Sequence, residues 1–470
     1  MSGKREVVVT PPWSEKAVRE ALGLELPRGR SPVTFSGIST DSRSIASDGL
    51  FVALEGERFD GHDHLSAAVA AGATGAVVRQ GTPLVPGLVL FEVPDTLRAF
   101  GLLARARRRT FKGPVIAVTG TNGKTSTKEM LAAVLRTRYV THATRANLNN
   151  LVGVPLTILE APPDTEALVV EAGANRPGEV ARYREIIEPS VTIVTNAVAG
   201  HLEGFGSLLG VVEEKLSLTD GVPLAIVGTE PSDLATGARK RARKVLTAGL
   251  QGADLTPDKV TLDESARPVI TIGGTTLVLS ARGLHQADNA IRVWAAVDAL
   301  GFDHEAAARA LEGFSIPAGR GELLQEGGLT ILNDCYNANP QSFRAAIATA
   351  TALRGKRRLV FVAGTMRELG EDSTALHREV GDALVKLKPD LLAVVGDFVP
   401  ALERHAGALG DRLITAADPM ALAPILAQRL EGNEMIVLKA SRGVALERIL
   451  PALAARAKNP GAPPAPLRSR

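Results

Sequence analysis

The chain has 470 residues, 45% hydrophobic and 22% charged, with 46 Gly and 28 Pro. That balance excludes a fully disordered or collagen-like chain, and at ~100–200 residues per domain it allows about three domains. Lys and Arg number 54 against 51 Asp and Glu, and the resulting charge of +3, with only 12 Phe, 3 Tyr and 2 Trp, makes no case for a nucleic-acid partner.

Cys335 is the single cysteine, so no intrachain disulfide can form, which fits a reducing compartment. The first residues lack the apolar core of a signal peptide, and no apolar run approaches the ~20 residues of a membrane helix. The expectation is a cytoplasmic protein with no membrane insertion.

Residues 1–93 hold short strands and an Ala-rich helix, Leu65–Ala71, that stops at Gly72. Residues 94–316 open with a basic helix, Leu97–Arg109. Apolar runs at Val115–Val118, Leu168–Val170, Val191–Val194 and Leu224–Val227 follow, and read as buried strands. Helical patterns at Thr125–Arg136 and Glu179–Ile187 lie between them, and Val260–Leu279 reads as a hairpin around Gly273–Gly274. Residues 317–458 resume the alternation, with strands at Leu359–Val362 and Leu391–Val395 and a helix at Pro340–Leu353. Residues 459–470 are too rich in Pro to pack and read as a disordered tail. The fold class is α/β: three domains, the central one a mostly parallel sheet flanked by helices.

Two basic clusters, Arg105–Arg109 and Arg239–Lys244, read as solvated helix faces in a chain this close to neutral.

The strongest local signal is Gly120-Thr121-Asn122-Gly123-Lys124-Thr125-Ser126, set between a strand and a helix. Glycines let backbone amides close around an anion, and the helix N-terminus favours negative charge. Lys124 suits the β- and γ-phosphates, and the Thr125 hydroxyl suits Mg2+. Val118 stands where the usual phosphate-loop pattern has its first glycine, so only G-x-x-G-K-T is present. The loop predicts binding of a nucleoside triphosphate. By itself it leaves open a ligase, an ATPase or kinase, and a silent binding protein.

Glu171 ends one predicted strand, His201 follows another, and Lys215 lies on the helix after it. The C-terminal edge of an open α/β sheet is where ligands bind, and a carboxylate there can hold Mg2+. Together beside a phosphate loop the three residues favour a metal–phosphate site.

Several motifs now point to a family. They are G-T-N-G-K-T, E-x-G-A-N-x-x-G-E from Glu171, and T-N-x-x-x-x-H-L-E-G-F-G-S with Lys215 fourteen residues after His201. Asn147-Leu-Asn149-Asn150-Leu-Val-Gly153-Val-Pro155, Gly283-Leu-His285-Gln286-Ala-Asp-Asn289 and Asn333-Asp334-Cys335-Tyr336-Asn337-Ala338-Asn339-Pro340 continue the match. So do Gly364-Thr365-Met-Arg-Glu-Leu-Gly370, His377 and Lys439-Ala-Ser441-Arg442-Gly443. The chain resembles the Mur ligases over nearly its whole length, and among them the branch that adds a dipeptide. It departs from the family pattern at Gln286, Asn333, Cys335 and Thr365, where Asn, Asp, Ser and Asp are usual.

The resemblance implies an N-terminal α/β domain for a UDP-linked substrate, a central phosphate-loop ligase domain and a C-terminal Rossmann-like α/β domain. It implies amide-bond formation through an acyl phosphate, with ATP and two Mg2+ ions as cofactors. UDP-MurNAc-tripeptide and D-Ala-D-Ala are the implied substrates, and a monomer is expected. Another amino-acid-adding Mur ligase or a folylpolyglutamate synthase is the nearest alternative. Gly120, Thr121, Asn122, Gly123, Lys124, Thr125, Ser126, His285, Asn289, Arg320 and Asp334 would bind ATP. Thr125 and Glu171 would hold one metal, His201 and Lys215 the other, with Lys215 carbamylated into an anionic ligand. Ser39, Asp41, Ser42, Arg43, Asn149 and Asn150 would meet the UDP substrate, and Asn337 and Asn339 the dipeptide.

Overall fold

The computed structural model describes residues 12–27, 32–56, 59–200 and 202–458. His201 and the expected tail at 459–470 lie outside these residues.

The central sheet runs Thr141–Ala143, Ala167–Glu171, Val115–Thr119, Val191–Val194, Leu224–Val227, Val245–Thr247 in spatial order. Every neighbouring pair is parallel. The three middle strands are buried at every position, because helices cover both faces. The first of these strands in sequence, Val115–Thr119, lies in the middle. Its two neighbours reach it by crossovers on opposite sides. Their C-terminal ends therefore splay into a crevice, and the phosphate loop opens there. Helix Lys124–Leu135 leaves that loop and packs against helix Leu284–Leu300.

The hairpin expected around Gly273–Gly274 is present, and strand Lys259–Leu262 adds to it as a third. Both glycines have positive φ, 55° and 79°, as a two-residue turn joining Ile272 to Thr275 needs.

The N-terminal sheet has four parallel strands, Ile38–Ser39, Gly49–Val52, Ala73–Arg79 and Val89–Val93. Helix Thr96–Arg108 packs on this sheet and also on helices Gly153–Leu159 and Glu179–Ile187. Phe35, Phe91 and Phe100 thus share one apolar core with Val115, Ile158 and Tyr183. Burial of aromatic rings across that seam stabilises the junction by roughly 25 cal/mol per Å² of apolar surface.

The C-terminal sheet runs Glu322–Glu326, Leu329–Asp334, Met435–Lys439, Leu359–Ala363, Leu391–Val395, Leu413–Ala416. Only the first pair is antiparallel. Phe343, Phe361 and Phe398 pack beneath it.

Arg105–Arg109 departs from the expected solvated face. Arg107 is 8% exposed and donates to the carbonyls of Ala161 (3.1 Å) and Pro162 (3.2 Å). Arg108 donates to Ile187 O and Glu188 O, at 2.6 and 2.7 Å. Arg105 and Arg109 each reach the Glu188 carboxylate at 2.7 Å. The reason is tertiary: carbonyls at and just past the ends of helices Gly153–Leu159 and Glu179–Ile187 lack intrahelical donors, and the Arg107 and Arg108 guanidinium groups of the adjacent helix supply them, while Arg105 and Arg109 pair with Glu188. In Arg239–Lys244 only Arg241 is drawn in, pairing with Asp220 at 3.2 Å and with Glu213, and the other four basic residues are exposed.

Candidate active site

The phosphate loop leaves strand Val115–Thr119 at Gly120, whose φ is 141°. A Cβ there would lie 1.9 Å from Thr195 Oγ1, so the position demands glycine. Gly123 has φ 81°, and a Cβ on it would meet Asn289 Oδ1 at 2.3 Å. The close fit of the next strand end shapes the loop. Thr195 Oγ1 donates to Asn122 O (2.6 Å), Asn196 Oδ1 accepts from Asn122 N (3.0 Å), and Asn196 O accepts from Thr121 N (3.0 Å).

Lys124 bends back over this loop and donates to Gly120 O and Thr121 O, at 2.8 and 3.0 Å. Burial lowers its pKa below the ordinary lysine value, and the Glu171 carboxylate opposes that shift. At the second residue of the helix, Thr125 Oγ1 donates to Glu171 Oε2 at 2.8 Å. The other oxygen, Oε1, accepts from Asn149 Nδ2 at 2.8 Å. Glu171 N donates to Thr144 Oγ1 at 2.9 Å. Glu171 is 1% exposed, with both oxygens directed by neighbours. A hydroxyl and a carboxylate are hard oxygen donors, and two of them leave positions for phosphate oxygens and water, so this pair suits Mg2+. Among the described residues no group of three or more His, Cys, Asp or Glu gathers for a metal.

Lys215 sits near the end of helix Leu208–Leu216 and is 1% exposed. Its Nζ lies 5.2 Å from the centroid of the Phe205 ring. Burial, and then the charge of Lys124, bring its pKa down to about 7. Its helix is held by its neighbour in sequence. Glu214 accepts from Gly178 N (2.7 Å) and Val180 N (2.8 Å), the free donors of helix Glu179–Ile187.

A cleft of about 460 Å³ lies between the central and C-terminal sheets, lined by Gly123, Ser126, His285, Asn289, Arg320 and Asp334 among others. These are residues expected at ATP, and the fold gathers them around one cleft, Gly123, Ser126, His285 and Asn289 from the central domain facing Arg320 and Asp334 from the C-terminal one. Asp334 Oδ2 pairs with Lys439 Nζ at 2.6 Å, and that amine also donates to Asn337 O at 2.7 Å. The Arg320 guanidinium stacks 3.7 Å from the Tyr336 ring centroid. His285 borders the cleft with much of its side chain open to it, and desolvation by the surrounding protein holds it below the ordinary histidine value, with Asp334 opposing. Asn289 Nδ2 donates to Gln286 Oε1 at 3.1 Å, so the Gln at this position still supplies an amide oxygen.

The residues expected at the UDP substrate divide. Ser39–Arg43 form a turn: Asp41 accepts from Arg43 N (3.0 Å) and from its Nε and Nη2 (both 2.9 Å). Ser39 Oγ accepts from Asp41 N at 3.1 Å, and Ser42 lies inside the same turn. Asn149 belongs to the Glu171 cluster. Asn150 Oδ1 accepts from Val152 N (3.2 Å) and Gly153 N (2.8 Å), at the start of helix Gly153–Leu159. In the C-terminal domain, His377 Nε2 accepts from Met366 N at 3.0 Å and Nδ1 donates to Ser373 O at 2.7 Å, a neutral structural histidine. Thr365 Oγ1 accepts from Asp397 N at 3.0 Å and so supports a loop.

Sequence motifs did not assign Thr144, Asn196 or Glu214 a part in the site. Asn196 lies inside a quoted motif, and its position two residues past a strand end was the available signal. Thr144 and Glu214 carry no local signal, since only the crossovers bring them to Glu171 and to the start of helix Glu179–Ile187.

Two parallel sheets and a mixed one, flanked by helices, with a phosphate loop, an adjacent directed carboxylate and a buried amine define a nucleotide-using α/β enzyme class. Family models match it in three consecutive pieces: the Mur ligase family catalytic domain at residues 34–108, the Mur ligase middle domain at 118–297 and the Mur ligase glutamate ligase domain at 319–442. The chain belongs to the Mur ligase family. It is 34% identical over 424 residues to the UDP-N-acetylmuramoyl-tripeptide–D-alanyl-D-alanine ligase of Bacillus subtilis, covering 88% of this chain and 92% of that one. Its structure is similar to MurF from Acinetobacter baumannii, with a TM-score of 0.85 and 28% identity over 95% of this chain and all of the other. It is also similar to MurF ligase from Thermotoga maritima in complex with ADP, with a TM-score of 0.81 and 26% identity over 90% of this chain and 98% of the other.

Proposed function

We propose that this chain is an ATP-dependent acid–amino-acid ligase that joins D-alanyl-D-alanine to UDP-N-acetylmuramoyl-tripeptide, giving the pentapeptide precursor of peptidoglycan. The observation that carries the reading is the Thr125–Glu171–Asn149 cluster beside the glycine loop, in a chain whose relatives are dipeptide-adding ligases along nearly all their length.

A carboxylate is a poor electrophile and is repelled by a triphosphate. In the overall reaction a tripeptide carboxylate oxygen displaces ADP from the γ-phosphorus. The D-Ala-D-Ala amine then displaces phosphate from the acyl carbon, losing one proton. The loop amides and Lys124 bind and orient the phosphates, and their positive charge offsets the repulsion. Thr125 and Glu171 would hold a Mg2+ ion that neutralises phosphate oxygens when bound. Arg320, His285, Asn289 and Asp334 line the cleft for the rest of the nucleotide. The Ser39–Arg43 turn is assigned to the UDP end, with Asn149 and Asn150, and Asn337 and Asn339 to the dipeptide.

Lys215 is assigned as a carbamate. Its neutral amine adds to CO2 and releases one proton, giving an anionic oxygen donor for a second ion together with His201. A lysine brought to about 7 by burial has the neutral form this addition needs. We take the working unit to be a cytoplasmic monomer; no described helix is long and apolar enough to cross a membrane.

The test is an assay with UDP-MurNAc-tripeptide, D-Ala-D-Ala and Mg-ATP, the product weighed by mass spectrometry. A mass gain of one dipeptide less water is expected. ATP turnover without any amine acceptor, or gain only with a single amino acid or with glutamate, would overturn the reading.

A further inference from the structure

Asn122 sits in the middle of the phosphate loop, yet its side chain reaches the C-terminal domain. Asn122 Nδ2 donates to Asn339 Oδ1 (3.2 Å) and Gln341 Oε1 (2.7 Å), and Asn339 Nδ2 donates back to Asn122 Oδ1 (2.7 Å). Gln341 Nε2 in turn donates to Glu230 Oε2 at 2.7 Å, so a second central-domain segment joins the contact. Asn339 is 3% exposed. It is also the N-cap of helix Pro340–Arg354: its Oδ1 accepts from Ser342 N at 2.9 Å, and Ser342 Oγ accepts from Asn339 N at 3.0 Å. This capping box fixes the Asn339 side chain from its own domain and leaves Nδ2 aimed at the loop.

We infer that Asn339 and Gln341 are positioning residues through which the C-terminal domain holds the phosphate loop in its nucleotide-binding shape. Asn122 is the loop residue that receives them. Its backbone N–H is already committed to Asn196 and its side chain to the other domain. The phosphates and the C-terminal domain therefore act on one short loop from two sides. Whatever domain docking adds to nucleotide affinity, nucleotide must add to domain docking by the same factor. This inference rests on the reading of the loop as the ATP site. It gives Asn339 a task separate from contact with the dipeptide.

The experiment compares the full-length chain with Asn122→Ala, Asn339→Ser, Gln341→Ala and the double variant Asn122→Ala/Asn339→Ser. Ser keeps the helix cap but cannot reach Asn122, so the melting temperature of Asn339→Ser should stay near that of the parent. Mg-ADP affinity is measured by calorimetry and KM for ATP and for D-Ala-D-Ala by phosphate release. Each single change at Asn122 or Asn339 should weaken Mg-ADP about tenfold, and the double variant should be no worse than the weaker single. Additive losses, parent-like affinity in Asn339→Ser, or a rise confined to the KM for D-Ala-D-Ala would overturn the inference. Failure of the parent chain itself to bind Mg-ADP would instead overturn the reading of the loop.

Discussion

At the scale of single residues, Glu171 is defined by what holds it. Thr125 donates to one oxygen and Asn149 to the other. Glu171→Gln keeps the shape but removes the charge, and it turns an amide N–H toward one of two donors. We expect kcat to fall by about 10²–10³-fold, with the Mg2+ concentration for half-maximal rate raised. A steady-state Mg2+ titration checks both. Lys215 adds a pH signature. With a pKa of about 7, its amine is about one-tenth neutral at pH 6 and about nine-tenths at pH 8. Enzyme stripped of CO2 should therefore regain activity faster at pH 8 than at pH 6, at matched dissolved CO2. Equal recovery at both pH values, or full activity in Lys215→Ala, would remove the carbamate assignment.

Among the elements, the Glu214 contact matters most. Helix Glu179–Ile187 starts at Gly178, which has no side chain to cap it. The buried Glu214 carboxylate on helix Leu208–Leu216 takes two free N–H groups at that start, those of Gly178 and Val180. Glu214→Ala leaves those donors without partners, at a cost of about 1–3 kcal/mol. A thermal melt should show a lower Tm, and Lys215, one residue along, should lose its placement, so kcat falls while the KM for ATP changes little. The strands and helices around this contact were legible in the sequence. Helix Glu179–Ile187 and the strands at Val115, Leu168 and Val191 follow from apolar runs and periodicity. Glu214 as a cap in trans was not legible, because the donors and the acceptor are brought together only by the crossover between them. The same reason hid the Arg105–Arg109 contacts. A run of arginines reads as solvated until a neighbouring helix end supplies carbonyls.

Across the whole molecule, buried neutral histidines set the acid limit. His142 is brought from 6.5 to about 4, chiefly by burial and then by Arg145. Burial also lowers His377, which is fully buried. The folded chain then binds fewer protons than the unfolded chain below the ordinary histidine pKa. Their contribution is present above pH 6.5 and is lost as pH falls toward 4 for His142. Urea midpoints should fall across that window, and the fall should be smaller in His142→Gln. A midpoint independent of pH there would count against buried neutral histidines. Lys215 acts in the same direction at higher pH: its lowered pKa costs stability as pH drops from 10.5 through about 7.

The length and near-neutral charge allowed three domains and excluded broad classes of partner, and the motifs then named the phosphate loop, the carboxylate beside it and the family. Those features are local: a glycine loop between a strand and a helix is written in consecutive residues. What the sequence could not decide is which groups meet across crossovers and across domains. Within the central domain Asn149 directs Glu171, and between domains Asn122 pairs with Asn339 217 residues away. Such pairings depend on crossovers and sheet packing, and a short polar side chain carries no periodicity to announce its partner. The positive charge that matters is likewise local, at Lys124 over the phosphate loop and at Arg320 and Lys439 on the adjoining cleft, and only the tertiary structure brings these groups near one another.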